Sequence, residues 1–284
     1  MHIFTKPLGM ILSFIYNVTN SYGLSIILFT ILIKLLLLPL TIKQQKSMVE
    51  MQKVQPLLTE LQKKYKNDKE KLNAEMMKVY QEHKVNPAGG CLPLIIQLFI
   101  VFALYRVIYQ PLKYMLNFSK EQILEIVNAL NLGIAENLLA QKEIFIAEQM
   151  RINFEKLGHL EFLHNVKPID FNFLNFINLA DTPNISKISV LWIFPILASL
   201  TTYVSSKLTS ASSVQQGNSK QNDQAAQMQK SMMTMFPIMT AFITFSLPAG
   251  VGLYWVVSNL VQMVQQVFLN KYFAPNKKEG IENQ

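Results

Sequence analysis

Five stretches of this chain are apolar over roughly the thickness of a bilayer, and the first carries a lysine at its centre. A helix crossing the hydrocarbon core needs about 20 predominantly apolar residues. Segments 24–42, 91–116, 188–206, 232–248 and 249–270 meet or approach that length, and none contains Asp or Glu. The fourth is short and ends on Pro248; a thinner local bilayer accommodates such a span at modest cost. The expected fold class is an all-α integral membrane protein, a five-transmembrane-helix bundle.

Composition removes several alternatives. Half of the 284 residues are apolar and 15% are charged, apolar-rich for a soluble domain. A single Cys excludes a disulfide framework, a Cys-based zinc site and a CxxC pair. His2, His83, His159 and His164 lie far apart, without metal-ligand spacing. No metal and no cofactor is expected. The net charge of +8 reads better as loop charge of a membrane protein than as a nucleic-acid surface.

Loop charge also orients the bundle. The segment 43–90 holds ten Lys, 207–231 three and the tail 271–284 three; the 117–187 connection holds six Lys/Arg with nine Asp/Glu, and Lys6 adds one at the N-terminus. The excess puts the C-terminus in the cytoplasm and the N-terminus outside. Residues 1–23 are too short an apolar run to cross and read as an outer interfacial helix. A signal peptide is disfavoured, because no A-x-A-like site follows.

Segment 43–90 has the pattern of a cytoplasmic antiparallel helical hairpin. Met48, Met51, Gln55, Leu58, Leu61 and Tyr65, then Leu72, Met76 and Tyr80, recur at helical spacing. Asn67-Asp68 marks the turn, with Asn67 expected as N-cap and arms of about 20 residues. The hairpin reads equally as a solvated spacer or a docking arm. In the outer connection, 119–155 is helically periodic and 162–184 is rich in aromatics and Asn. The 207–231 loop is polar.

Lys34 decides the functional reading. A lysine at mid-bilayer costs about 2.5–3.5 kcal/mol on insertion scales. The cytoplasmic boundary at Lys43 is about 13 Å away, too far for comfortable snorkelling. With no acid in any span, the remaining escape is water held inside the protein. Thr30 shares the Lys34 face, and Gln97 lies in the second span. Ser199 and Thr202 share a face of the third. Trp255, Asn259, Gln262 and Gln266 form one stripe on the fifth. The competing reading of each stripe is helix–helix glue. The groove reading gives a positive cavity suited to an acidic or polar polypeptide. An alternative is a small-molecule anion transporter using Lys34 as the binding charge, but the inverted repeats common in that class are not seen. No nucleophile–base pair or carboxylate pair lies in the spans, so an enzyme is not expected.

Three stretches carry a family resemblance: KVNPAGGCLPLIIQ from residue 84 with FALY from 102, LPAGVGLYWVVSNLVQMVQQ from 247, and LLLLPLTIKQQKSMVEMQKVQP from 35. The chain resembles the YidC/Oxa/Alb membrane protein insertases over nearly its whole length. That resemblance implies a hydrophilic groove open to cytoplasm and lipid, closed outside, and working without nucleotide hydrolysis in the bacterial cytoplasmic membrane. It implies nascent membrane proteins and the lipid bilayer as partners, with the ribosome and the Sec translocon as further candidates. Tyr254 and Trp255 then read as contacts for a passing helix. Met232 and Met233 read as adaptable apolar contacts or as ordinary interface filling. Bacterial members usually carry Arg where this chain has Lys34, so the charge is kept but the bidentate fork is lost. Cys91 lies inside the matching GGC and reads as packing, not as a lipidation site.

Overall fold

The computed structural model describes the backbone of residues 2–86, 92–211 and 224–273, and the side chains among these apart from 2–4, 52, 92–98, 100–101, 210–211 and 224–233. The first helix, α1 (His2–Thr19), closes at Asn20 in the left-handed conformation, φ 52°. Ser21 then caps α2 (Tyr22–Leu36), its hydroxyl accepting from the Leu24 amide at 3.4 Å; a serine side chain there satisfies one of the free amides of the first turn.

The expected continuous first span of 24–42 is broken. The helix stops at Leu36 and restarts as α3 (Leu38–Lys64) with a bend of 54°. Pro39, in the first turn of α3, cannot donate to the carbonyl four residues back, and its ring crowds that turn. α3 then runs without interruption into the hairpin. Its partner α4 (Lys69–Glu82) has 14 residues, shorter than expected, and Asp68 rather than Asn67 is the N-cap, accepting from the Lys71 amide at 3.0 Å. Val54, Leu58 and Val85 are buried between the arms, with Met51, Met76, Val79 and Tyr80 around them. Gln55, expected on this face, is exposed.

Helix α5 (Leu92–Tyr109) leads through α6 (Pro111–Tyr114) into the 117–187 connection. The periodic stretch 119–155 is two helices, α7 (Lys120–Ala129) and α8 (Leu139–Ile152). A capping box between Ser119 and Gln122 starts α7, while positive φ at Asn131 and Gly133 ends the helical run. A two-stranded antiparallel ribbon follows, β1 (Asn172–Phe173) and β2 (Ile177–Asn178), then α9 (Ile193–Ala211), α10 (Gln224–Phe245) and α11 (Ala249–Phe273). α9 packs against both α10 and α11, and α11 packs against α2.

Most of the core lies at one end of the bundle. Leu112, Ile126, Ile146, Met150, Ile169 and Phe171 of the connection are buried in one cluster with Leu12 of α1, Tyr22, Ile26 and Phe29 of α2 and Val251 of α11. The Tyr22 hydroxyl donates to the Ile108 carbonyl at 3.2 Å, and its ring meets Phe171 edge-on at 4.9 Å. The first amides of α11 are taken by loop carbonyls, Ala249 to Asp181 at 2.8 Å and Gly250 to Leu179 at 2.9 Å. The connection therefore closes over the bundle end as a lid. Two glycines permit its seating: a Cβ on Gly9 would fall 2.3 Å from the Tyr114 carbonyl oxygen, and one on Gly23 would fall 2.2 Å from the Phe173 ring.

The helices beneath the lid point large apolar side chains outward at helical spacing. Leu24, Leu28, Leu32 and Leu35 do so on α2, Ile193, Ile196, Leu200 and Val204 on α9, Ile238 and Phe242 on α10, and Leu260, Val264 and Val267 on α11. In a soluble bundle that face would be polar; here it is the surface expected against hydrocarbon. By length and composition, one helix among the described residues is sufficient to cross a membrane by itself, 190–209; the bent α2–α3 pair passes the same test only when its two helices are taken together, and α10 contributes a shorter apolar stretch, Thr234–Phe245.

Two substitutions probe the lid. Gly9→Ala drives a methyl into a backbone oxygen that cannot rotate away, so the melting temperature of the purified protein should fall. Glu143 is buried in α8, with Oε1 accepting from the Lys113 amide at 2.7 Å; burial outweighs these amide contacts and pushes its carboxyl up to about 7. A carboxyl raised on folding contributes no pH dependence below its unfolded pKa of about 4.5, where both states are protonated. Between there and pH 7 the unfolded chain ionises first, so stability falls, by about 3 kcal/mol in all. Melting scans from pH 4.5 to 8 should show that decline, and Glu143→Gln should flatten it.

Candidate functional site

The site is assembled where α2 meets α11, just before the bend. Gly23, Ile27, Thr30 and Lys34 follow one another along one face of α2. The Lys34 ammonium donates to Gln262 Oε1 at 3.3 Å. Gln265, one turn along α11, donates through Nε2 to the Lys34 carbonyl at 3.1 Å. That carbonyl lies in the last turn of α2, where a helix leaves acceptors without intrahelical partners. One turn of α11 thus serves both the charge and the backbone of the same lysine.

Among the described residues Lys34 has no acid beside it. Among the described residues the ion pairs are Lys78–Glu75, Lys120–Glu136, Arg151–Glu148 and Arg151–Asp170, all in the hairpin or the 117–187 connection. The ammonium is therefore met by a neutral amide oxygen.

A second polar knot lies further along α11. Gln266 donates to Gln45 Oε1 at 3.2 Å and to Asn270 Oδ1 at 2.7 Å, and Gln45 Nε2 reaches the same Asn270 oxygen at 3.4 Å. Gln45 and Gln266 are both buried. Sequence reasoning missed Gln45 and Gln265. Gln45 sits beyond the bend, where the helical phase of α2 no longer applies. Gln265 lies one residue off the expected stripe.

The stripe expected on α11 divides between neighbours. Asn259 donates to Thr201 Oγ1 at 3.1 Å and to Thr202 Oγ1 at 2.8 Å, joining α11 to α9. Asn259 and Thr202 are thus bonded to each other across the contact between α11 and α9. Ser199 likewise ties α9 to α10 through the Pro237 carbonyl at 3.0 Å. Thr30 is buried and returns its hydroxyl to the Ile26 carbonyl of its own helix at 2.6 Å. Tyr254 is buried in the core, so it is not a surface for a passing helix; Trp255 is half-buried. The side chains of Gln97, Met232 and Met233 lie outside the described set. Of the expected residues, Lys34 and Gln262 come together, and Gln266 forms the adjoining knot. A separate crevice of about 520 Å³ between α9 and α10 is lined by apolar groups such as Ile196, Leu200 and Ile238, and carries no charged side chain.

The chain was compared with known proteins. The family model described as 60Kd inner membrane protein matches residues 14–277. A relative named membrane protein insertase YidC from Fusobacterium nucleatum is 35% identical over 268 residues, covering 93% of this chain and 95% of its own. One of the same name from Caldanaerobacter subterraneus is 33% identical over 259 residues, covering 91% and 90%. Against the Geobacter sulfurreducens YidC, 31% identical, the match covers 94% of this chain but 37% of the relative. A solved structure described as an active YidC insertase with the first transmembrane domain resolved superposes with a TM-score of 0.51 at 24% identity, over 92% of this chain and 44% of that one. The likeness supports the fold alone. The family description gives the chain a bacterial membrane location. By the extent of the family match and by the two relatives alike in length, the chain belongs to the 60Kd inner membrane protein family of YidC-type membrane protein insertases.

Proposed function

We propose that the chain inserts nascent membrane proteins into the bilayer through a positive groove centred on Lys34, without nucleotide hydrolysis. In this reading α2 with the head of α3, then α5, α9, α10 and α11, are five spans. The N-terminus and the lid lie outside; the hairpin and the C-terminus lie in the cytoplasm. The observation that carries it is the Lys34 ammonium within an apolar bundle, held by the neutral oxygen of Gln262.

An acidic group on a substrate flank improves on that partner. Exchanging the amide oxygen for a carboxylate turns an ion–dipole hydrogen bond into an ion pair, adding a Coulombic attraction that the neutral amide cannot supply. The lid blocks the outer end of the bundle, so the flank is drawn into the cytoplasmic part first. There it leaves water for a polar site, which spares part of the several kcal/mol that an unpartnered polar group costs in hydrocarbon. The substrate's apolar segment moves sideways into lipid, and the membrane potential acts outward on acidic flanks at about 2.3 kcal/mol per charge per 100 mV. No specific observation favours the anion-transporter alternative.

Insertion by the purified protein in liposomes, with nucleotide removed, tests the reading. Lys34→Ala and Lys34→Gln should lower insertion of a substrate with an acidic outer flank about tenfold, a difference of about 1.4 kcal/mol. A neutral-flank substrate should change less than twofold, and Lys34→Arg should retain both. Equal loss of the two substrates in the Ala and Gln variants would overturn the groove charge. Asn259→Ala gives the contrast: loss of a hydrogen bond between helices lowers stability by about 1 kcal/mol, and affects both substrates alike.

A further inference from the structure

The β1–β2 ribbon ends in a three-residue tip, Leu174-Asn175-Phe176, beyond the last pair Phe173–Ile177. Leu174 and Phe176 are 62% and 65% exposed. Leu174 also holds φ 55°, and Asn175 φ 64°. Asn adopts that left-handed conformation readily, but a bulky Leu there is unusual. A strained backbone that also displays its apolar side chain to water has neither local nor solvent benefit, which points to a partner outside the chain.

The position of the tip says which partner. Phe173 sits on Gly23, in the first turn of α2. Phe171 and Ile177 are buried in the lid core, so the ribbon is held from behind. The tip thus lies within one residue step, about 3.3 Å, of a side chain seated at the outer end of the first span. At that end begins the outward apolar stripe of Leu24, Leu28 and Leu32. Aromatics also join two other helix ends: Trp192 donates to the Asn184 carbonyl at 2.9 Å and stands edge-on to Phe245 at 5.0 Å, joining the start of α9 to the end of α10. Such aromatics collect at the membrane–water interface. Charge agrees as well. Residues 171–180 read FNFLNFINLA, with no charged side chain, and are flanked by Asp170 and Asp181.

We propose that the ribbon tip enters the outer leaflet beside α2, with Leu174 and Phe176 among lipid acyl chains and the ribbon's asparagines at headgroup level. It is a lipid anchor for the lid, distinct from the transmembrane helices, and it rests on the assignment of α2 as the outer half of a span. The occupant is lipid because the uncharged tip stands beside the turn of α2 where the outward stripe begins at Leu24, one residue after the Gly23 on which Phe173 is seated.

Single-cysteine variants of the full chain test it, in a Cys91→Ser background whose insertion activity is checked first. Nitroxide labels are placed at Phe176→Cys, Leu28→Cys and Glu125→Cys, the last on an exposed site of α7, and the protein is reconstituted in phosphatidylcholine–phosphatidylglycerol vesicles. Collision with oxygen, which partitions into lipid, is compared with collision with a water-soluble nickel chelate. The expected result is oxygen-dominated relaxation at 176 and 28, with at least a threefold oxygen-to-nickel excess over 125. A nickel-dominated label at 176 with an oxygen-dominated one at 28 would overturn the anchor and leave the span reading standing. A label at 176 shielded from both reagents would also overturn it, in favour of a protein occupant. A nickel-dominated label at 28 would remove the span reading, and the anchor with it.

Discussion

An ammonium group lodged between apolar helices has to be met by something, and the rest of the bundle is organised around what meets it. Lys34 is met by Gln262, and its backbone carbonyl by Gln265. Both glutamines belong to α11, so the contact between α2 and α11 sets the environment of the charge. A carboxylate in place of Gln262 would have formed a closed ion pair. A neutral amide instead leaves the positive field uncompensated.

The two ends of the bundle differ in kind. At the lid end the interior is continuous apolar packing, with the amides of α11 taken by loop carbonyls and Tyr22 bonded to the α5 backbone. Toward the bend the interior becomes polar: Lys34, Gln262, Gln265, then Gln45, Gln266 and Asn270. A polar chain segment approaching from the bend meets donors and acceptors it can exchange with; from the lid it would meet hydrocarbon. That asymmetry suits the proposed entry of substrate from one side.

Much of this was legible in the residues. Lys34 stood out because a charge in an apolar run has few ways to be satisfied, and the apolar blocks located the long helices. What escaped notice depended on bonds between elements. The polar stripe of α11 was read as one surface, since helical spacing tells which residues share a face but not which neighbour each one meets. Asn259 turned to Thr201 and Thr202, and Gln266 to Gln45. The break at Leu37 changed the phase of everything after it, hiding Gln45. Asn67 and Asp68 are both good caps, and only the fold of the turn separates them. The helical stretch 119–155 splits in two at Asn131 and Gly133, short residues tolerant of left-handed backbone.

The course of α3 has a mechanical corollary. One helix runs from the bend at Leu37 to the hairpin turn, 27 residues and about 40 Å. Gln45 sits about 12 Å along it. The helix is thus a lever with its fulcrum beside Lys34 and its long arm in the hairpin. A sideways swing at the turn arrives at the glutamine knot reduced to between a quarter and a third of its size. Displacing the hairpin turn sideways by about 5 Å would shift the knot by about 1.5 Å, the scale on which hydrogen bonds to Gln266 and Asn270 are made or lost.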